Sequence, residues 1–150
     1  MKRPIAEQVV VVTGASQGIG RETALQLAMR GASLVLCARN GEALRELELE
    51  VNRLGADAEV VVADVAEWGQ VQALAQRAVD RFGRIDTWIN NAALSAYGTI
   101  DELAIDEIDR VVRVNLLGQI YGVKAALPHM RRSGGTIINV GSALSERAVP

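Results

Sequence analysis

Cysteine occurs once in this sequence, at Cys37. A single thiol excludes an internal disulfide and offers no zinc-ligand spacing, so no metal site is expected. Cys37 lies in an apolar run, where an inert core thiol is the ordinary case. Basic runs are also missing, and the net charge is -2. Nucleic acid is therefore not an expected partner. No apolar stretch is long enough to span a bilayer, and Met1-Lys2-Arg3-Pro4 leads into no apolar signal core. No membrane partner is expected, and the cytoplasm is the expected compartment. The Gly-Lys-Ser/Thr of a nucleotide triphosphate loop is absent, which disfavours phosphoryl transfer. Linkers and low-complexity segments are lacking too.

What is present is a globular composition: 150 residues, 49% hydrophobic and 23% charged. That length fits one domain, residues 1–150, with a real core. Strand and helix patterns alternate along it. Gln8–Val12, Ser33–Ala38, Glu59–Ala63, Ile85–Asn90 and Thr136–Val140 read as buried strands. Helices are expected at Arg21–Arg30, around Leu44, Leu47, Val51 and Leu54, and around Val71, Leu74, Ala78 and Phe82. Gly31, Gly55 and Gly83 stop them. A long helix should run from about Ile105 to Arg132, disturbed near its end by Pro128. Continuous apolar strands between helices imply a parallel sheet covered on both faces. The expected fold is α/β: a Rossmann-type doubly wound sheet of strand order 3-2-1-4-5. Ligands of such a sheet bind beyond the carboxyl ends of its strands.

The first strand runs into Thr13-Gly14-Ala15-Ser16-Gln17-Gly18-Ile19-Gly20 and then into a helix. Gly14 permits a tight turn, Gly18 lets a pyrophosphate approach the backbone, and Gly20 allows close helix packing. The helix start supplies free N–H groups and a positive dipole end. A glycine-rich turn that binds nothing is the bland alternative. With its context, the turn is expected to bring Gly14, Ser16, Gln17, Gly18, Ile19 and Gly20 to a dinucleotide.

Other strand ends add chemistry. Ala38 stands where a carboxylate would hold the ribose 2′-hydroxyl of NAD, and Arg39 follows it. A guanidinium there suits a 2′-phosphate, so NADP(H) is favoured over NAD(H). The alternative is a solvated loop arginine. Asp64 can accept a hydrogen bond from the adenine amino group or cap the next helix, for which Glu67 is nearer. Asn90 and Asn91 must be satisfied if buried, and could tie strand ends together while the following backbone faces the cofactor. Ser142 could bond a substrate oxygen or cap a helix. Asn115 follows Ile108, Val111 and Val112 on the expected inward stripe of the long helix, where it needs partners. A structural asparagine is the plainer reading. His129, Met29 and Met130 read as a dipole-favoured surface residue and ordinary packing.

Thr13–Gly20, Asp64, Asn90-Asn91-Ala92, Asn115 and Ser142 together resemble the short-chain dehydrogenase/reductase family. The likeness runs from the first strand to the last residue. One departure is Ala93, where the family usually has glycine. The resemblance implies that Asp64 and Val65 contact adenine, that Asn91 and Ala92 face the cofactor, and that Asn90 steadies the central strand. It also implies that Asn115 and Ser142 belong to a catalytic tetrad of Asn, Ser, Tyr and Lys. The family's Tyr-x-x-x-Lys pair follows the serine by about a dozen residues. This sequence holds no such pair: Tyr121 and Lys124 have the wrong spacing, and Tyr97 has no lysine four residues on. The expectation is the N-terminal part of such an enzyme, ending before its acid/base, with the fifth strand as its last.

The expected activity is hydride transfer between NADP(H) and a small carbonyl or alcohol. The rival is an inert nucleotide-binding or scaffolding module; an epimerase or dehydratase would share the cofactor. The 150 residues by themselves are expected to be inactive. Glu146 and Arg147, expected in a loop after Ser142, offer no acid in its place. Leu116, Leu117, Ile120, Tyr121 and Val123 add a second apolar face to the long helix. A homo-oligomer, dimer or tetramer, is therefore expected.

Overall fold

β-Branched and leucine-rich runs form the strands, and the central ones are apolar on both sides because helices cover both faces. The structure, a computed structural model, describes residues 3–131 and 133–142. A short 3-10 turn, Ile5–Glu7, precedes β1 (Val9–Thr13). Then come α1 (Gly18–Ala28), β2 (Ser33–Ala38), α2 (Gly41–Arg53), β3 (Ala58–Val62), α3 (Trp68–Phe82) and β4 (Thr87–Asn90). They are followed by α4 (Ile105–Val112), a π-helical segment (Arg113–Leu117), α5 (Gly118–Met130) and β5 (Thr136–Asn139).

The five strands form one parallel sheet, as the alternation predicts, and their order is β3-β2-β1-β4-β5. Val11 of β1 stands beside Val35 of β2 and Trp88 of β4. Period-two alternation splits β1 between two cores. Val10 and Val12 pack with α1 and α2 through Ala24, Ala28, Leu44, Leu47 and Val51. Val11 packs on the other face with α3 and α5, through Val71, Leu74, Ala78, Ala126 and Met130. Trp88 is fully buried in that second core. Cys37 is buried there too. Burial, and secondarily the Asp64 carboxylate, push its thiol up to about 12.

The expected long helix is present but not uniform. It passes through the π-helical segment before α5, and α5 ends at Met130 with Pro128 in its last turn. Arg132, the expected last residue, lies outside the described residues, as do Glu146 and Arg147. The inward stripe is corrected at one position. Val112, expected inside, is 45% exposed, whereas Val114 is buried. Asp64 does not cap α3. The cap position is Glu67, and its side chain makes no capping bond.

Candidate dinucleotide cleft

Two side chains stitch the carboxyl ends of β1 and β4 together. Thr13 Oγ1 donates to the Ile89 carbonyl and accepts from the Asn91 and Ala92 N–H groups at 3.0 and 3.2 Å. Asn91 Nδ2 donates to the carbonyls of Thr13 and Gly14 at 3.0 and 3.2 Å. On the other side, Ala15 N–H donates to the Cys37 carbonyl of β2. The glycine turn is thus held by β2 and β4 at once. Gly14 has φ 67°, and a Cβ there would sit 2.8 Å from the Ala92 Cα. Only glycine fits that turn and that contact. At Gly20 a Cβ would strike the Gly14 carbonyl oxygen, so α1 presses onto the turn itself.

Arg21 N–H donates to the Gln17 carbonyl at 3.3 Å. The N–H groups of Gly18, Ile19 and Gly20 have no backbone acceptor among the described residues, as the first turn of a helix requires. They are donors at the positive end of the α1 dipole, a setting suited to an anion.

In front of the turn lies a cleft of about 470 Å³. Gly14, Ser16, Gln17, Gly18, Ile19, Arg39, Asp64, Val65, Asn91 and Ala92 all line it. Of the expected cofactor residues only Gly20 does not, because it is buried beneath. Ile19 is 68% exposed over this opening. Arg39, at the end of β2, makes no hydrogen bond or ion pair among the described residues. Beside it, Asn40 caps α2 by accepting from the Glu42 and Ala43 N–H groups.

Asp64 lies in the turn between β3 and α3. Its Oδ1 accepts from the Ala66 N–H at 3.0 Å, and its Oδ2 accepts from Arg110 Nη2 at 2.6 Å. Partial burial pulls its pKa up, but the Ala66 N–H and the Arg110 guanidinium outweigh that and hold it below the usual carboxylate value. Arg110 lines the cleft from α4, and the sequence reading missed it. The available signal was its position four residues before Val114, on the same helix face.

Asn115 and Ser142 do not line this cleft. Asn115 clasps the backbone of Leu94: Oδ1 accepts its N–H at 3.0 Å and Nδ2 donates to its carbonyl at 2.8 Å. Leu94 in turn lines the cleft. The structural demand of this asparagine is thereby met by backbone. Ser142 is exposed, two residues beyond Val140, whose N–H donates to the Asn90 carbonyl at the end of β4. Asn90 accepts from Trp88 Nε1 and donates to the Gln119 carbonyl and Asn139 Oδ1, so it ties β4 to α5 and β5. Among the described residues there is no metal-ligating cluster and no helix long and apolar enough to cross a membrane.

A doubly wound sheet with a glycine turn of this spacing is the setting of a dinucleotide-binding fold. The chain belongs to the short-chain dehydrogenase family, whose description, "short chain dehydrogenase", matches residues 8–150. It is 43% identical over 147 residues to the uncharacterised oxidoreductase YxnA of Bacillus subtilis (strain 168), covering 97% of this chain and 41% of that protein. It is 37% identical over 144 residues to trans-4-hydroxycyclohexanecarboxylate dehydrogenase of Sinomonas cyclohexanicum, covering 92% of this chain and 56% of that one. The chain thus spans about half the length of these curated relatives.

Among solved structures, an alcohol dehydrogenase from the archaeon Thermococcus sibiricus complexed with 5-hydroxy-NADP superposes with TM-score 0.91 at 33% identity. That match covers 95% of this chain and 61% of the other. An NAD+-bound xylitol dehydrogenase superposes with TM-score 0.93 at 32% identity, over 99% and 58% of the two chains. One neighbour carries an NADP derivative and the other NAD+. Discrimination between the two has to be sought in this chain's own residues.

Proposed function

We propose that the protein is a short-chain oxidoreductase that transfers a hydride between NADP(H) and a small carbonyl or alcohol. The observation that carries the cofactor choice is Arg39, which lines the cleft and makes no hydrogen bond or ion pair among the described residues, beside Ala38 where a carboxylate would serve NAD. The residues present fit a dinucleotide. N–H groups of the Ser16–Gly20 turn would hold the pyrophosphate, Asp64 and Val65 would hold the adenine, and backbone at Asn91 and Ala92 would face the cofactor. When bound, the nicotinamide supplies or accepts the hydride.

Ser142 orients the substrate oxygen. Asn115 keeps Leu94 in place at the cleft wall, and its second Nδ2 hydrogen remains available to a relay water. Proton transfer would fall to the tyrosine of the family's Tyr-x-x-x-Lys pattern, with the lysine lowering its pKa, and these 150 residues hold no such pair. A second reading of the residues present is a domain that binds the nucleotide without turnover. Assaying NADPH oxidation by the 150-residue chain with a panel of ketones and quinones separates the two. Turnover at an enzymatic rate overturns the second reading.

Calorimetry with NADP+ and NAD+, on wild type and Arg39→Ala, tests the cofactor assignment. A charge-assisted contact is worth about 1.5–3 kcal/mol, so the wild type should prefer NADP+ by about tenfold or more. Arg39→Ala should erase that preference, and equal wild-type affinities refute it. A cytoplasmic homo-oligomer is part of the same proposal. Leu116, Ile120 and Leu127 are each more than 40% exposed along the long helix, an apolar stripe suited to a second copy. A strictly monomeric protein in equilibrium sedimentation at micromolar concentration contradicts it.

A further inference from the structure

We propose that the amino pole of the sheet, opposite the dinucleotide cleft, holds a second binding site, for a phosphate-type oxyanion. The inference does not depend on the dinucleotide reading. A cavity of about 480 Å³ opens there, lined by Arg3, Gln8, Asp86, Thr87 and residues 133–136. That volume falls in the ordinary range of small-molecule sites. Gln8 immediately precedes β1 and lines this cavity, whereas Gly14 immediately follows β1 and lines the cleft. The two openings are therefore separated by the length of that strand, roughly 20 Å.

The balance of charge in the lining selects the sign of the ligand. Asp86 is the lining carboxylate, and its oxygens are already engaged. Val9 N–H and Arg84 Nε each donate to Oδ2 at 2.8 Å, Arg84 Nη2 donates to Oδ1 at 3.0 Å, and Arg3 Nε lies 3.3 Å from Oδ1. A carboxylate has about four lone-pair sites, so little of Asp86 remains for a cation. One carboxylate thus faces two guanidinium groups, and neither arginine has another acidic partner among the described residues. The cluster keeps an uncompensated positive charge in a chain of net charge -2. Arg3 spends Nε on Asp86, and its Nη groups make no bond among the described residues. Neutral donors add to the charge. The N–H groups of Gly134 and Gly135 find no acceptor among the described residues. Side-chain and backbone acceptors of the lining are in use: Gln8 Oε1 accepts from the Thr87 hydroxyl at 2.8 Å, and the Gly134 carbonyl accepts from the Ser133 hydroxyl at 3.3 Å. Guanidinium and free backbone N–H groups are the donors that hold phosphate oxygens.

Phosphate also suits the glycine turn of the cleft, so the test must tell the two poles apart residue by residue. Inorganic phosphate is titrated into isotope-labelled protein at constant ionic strength, with chloride as the balancing anion, and backbone amides are followed by NMR. Wild type, Arg3→Gln, Arg3→Lys and Arg39→Ala are compared. In the wild type the Gly134, Gly135 and Thr136 amides should shift saturably with phosphate and not with chloride. Arg3→Gln should weaken that binding about tenfold or more. Arg3→Lys, which keeps the charge, should retain most of it, and Arg39→Ala should leave it unchanged. The Arg3 carbonyl accepts from Gln8 Nε2 at 2.8 Å whatever the side chain, so the Val9 and Thr87 amides of Arg3→Gln should stay in place before phosphate is added. Shifts that do not saturate, equal shifts with chloride, or undiminished binding in Arg3→Gln overturn the proposal. Shifts confined to the Ser16–Gly20 turn overturn it too, and leave the cleft reading intact. Saturable shifts at residues 134–136 in a protein that binds no NADP+ overturn the dinucleotide reading and uphold this site.

Discussion

Removing the Asn115 amide should cost more stability than a half-buried polar side chain usually does. In Asn115→Ala both bonds to Leu94 are lost: the 3.0 Å acceptor bond from its N–H and the 2.8 Å donor bond to its carbonyl. Each is worth about 0.5–1.5 kcal/mol net, which sums to about 1–3 kcal/mol. Partial access of water to the site argues for the lower half of that range, and the unpaired Leu94 backbone pulls the other way. With a urea slope of about 1–3 kcal/mol/M, the midpoint should fall by about 1 M. Asn115→Asp separates the hydrogen bonds from side-chain volume. It keeps the shape and the acceptor but turns a second oxygen toward the Leu94 carbonyl. Near neutrality it should be at least as unstable as the alanine variant, and it should recover in acid as its carboxyl gains a proton to donate. Urea unfolding followed by tryptophan fluorescence reads all three proteins. An Asn115→Ala midpoint within error of wild type, or an Asn115→Asp variant as stable as wild type near neutrality, refutes the clasp as a stabilising element. It would leave Asn115 to be explained by chemistry alone.

Gly122→Ala should be destabilising, because its Cβ would lie 2.6 Å from Trp88 Nε1 and closer still to Asn90 Oδ1 in a buried network. The expected loss is about 1–3 kcal/mol, or a melting temperature lower by several degrees; an unchanged melting curve contradicts the packing argument. Asp64 should contribute to stability at neutral pH. Its folded pKa lies below the unfolded value of 3.8, so the contribution is complete above that value and is lost as pH falls through the folded pKa. Stability measured from neutrality down into that acid range should show the deficit of Asp64→Asn shrinking, and a deficit that stays constant counts against an ionised, paired Asp64.

Much of the fold was legible from residue order alone. Four consecutive valines before a glycine turn admit little besides a buried strand feeding a helix, and Gly31, Gly55 and Gly83 mark chain reversals because each adopts positive φ. Alternation of such units dictates a parallel doubly wound sheet, since right-handed crossovers leave few other topologies. The glycine turn, Asp64 and the Asn90-Asn91 pair were legible for the same reason: their chemistry is odd for strand ends, and strand ends are where such a sheet exposes its cleft. What tertiary structure decided were relations between segments distant in the chain. Arg110 and Asp64 are separated by 46 positions, and nothing local marks either as the other's partner. The clasp of Asn115 on Leu94 spans 21 positions and acts on backbone, which carries no residue-specific signal. Val112 is exposed while Val114 is buried, and the helix passes into its π segment between them, at Arg113. A periodicity argument assumes one pitch throughout a helix, and only packing against the sheet and α3 can tell where that pitch changes.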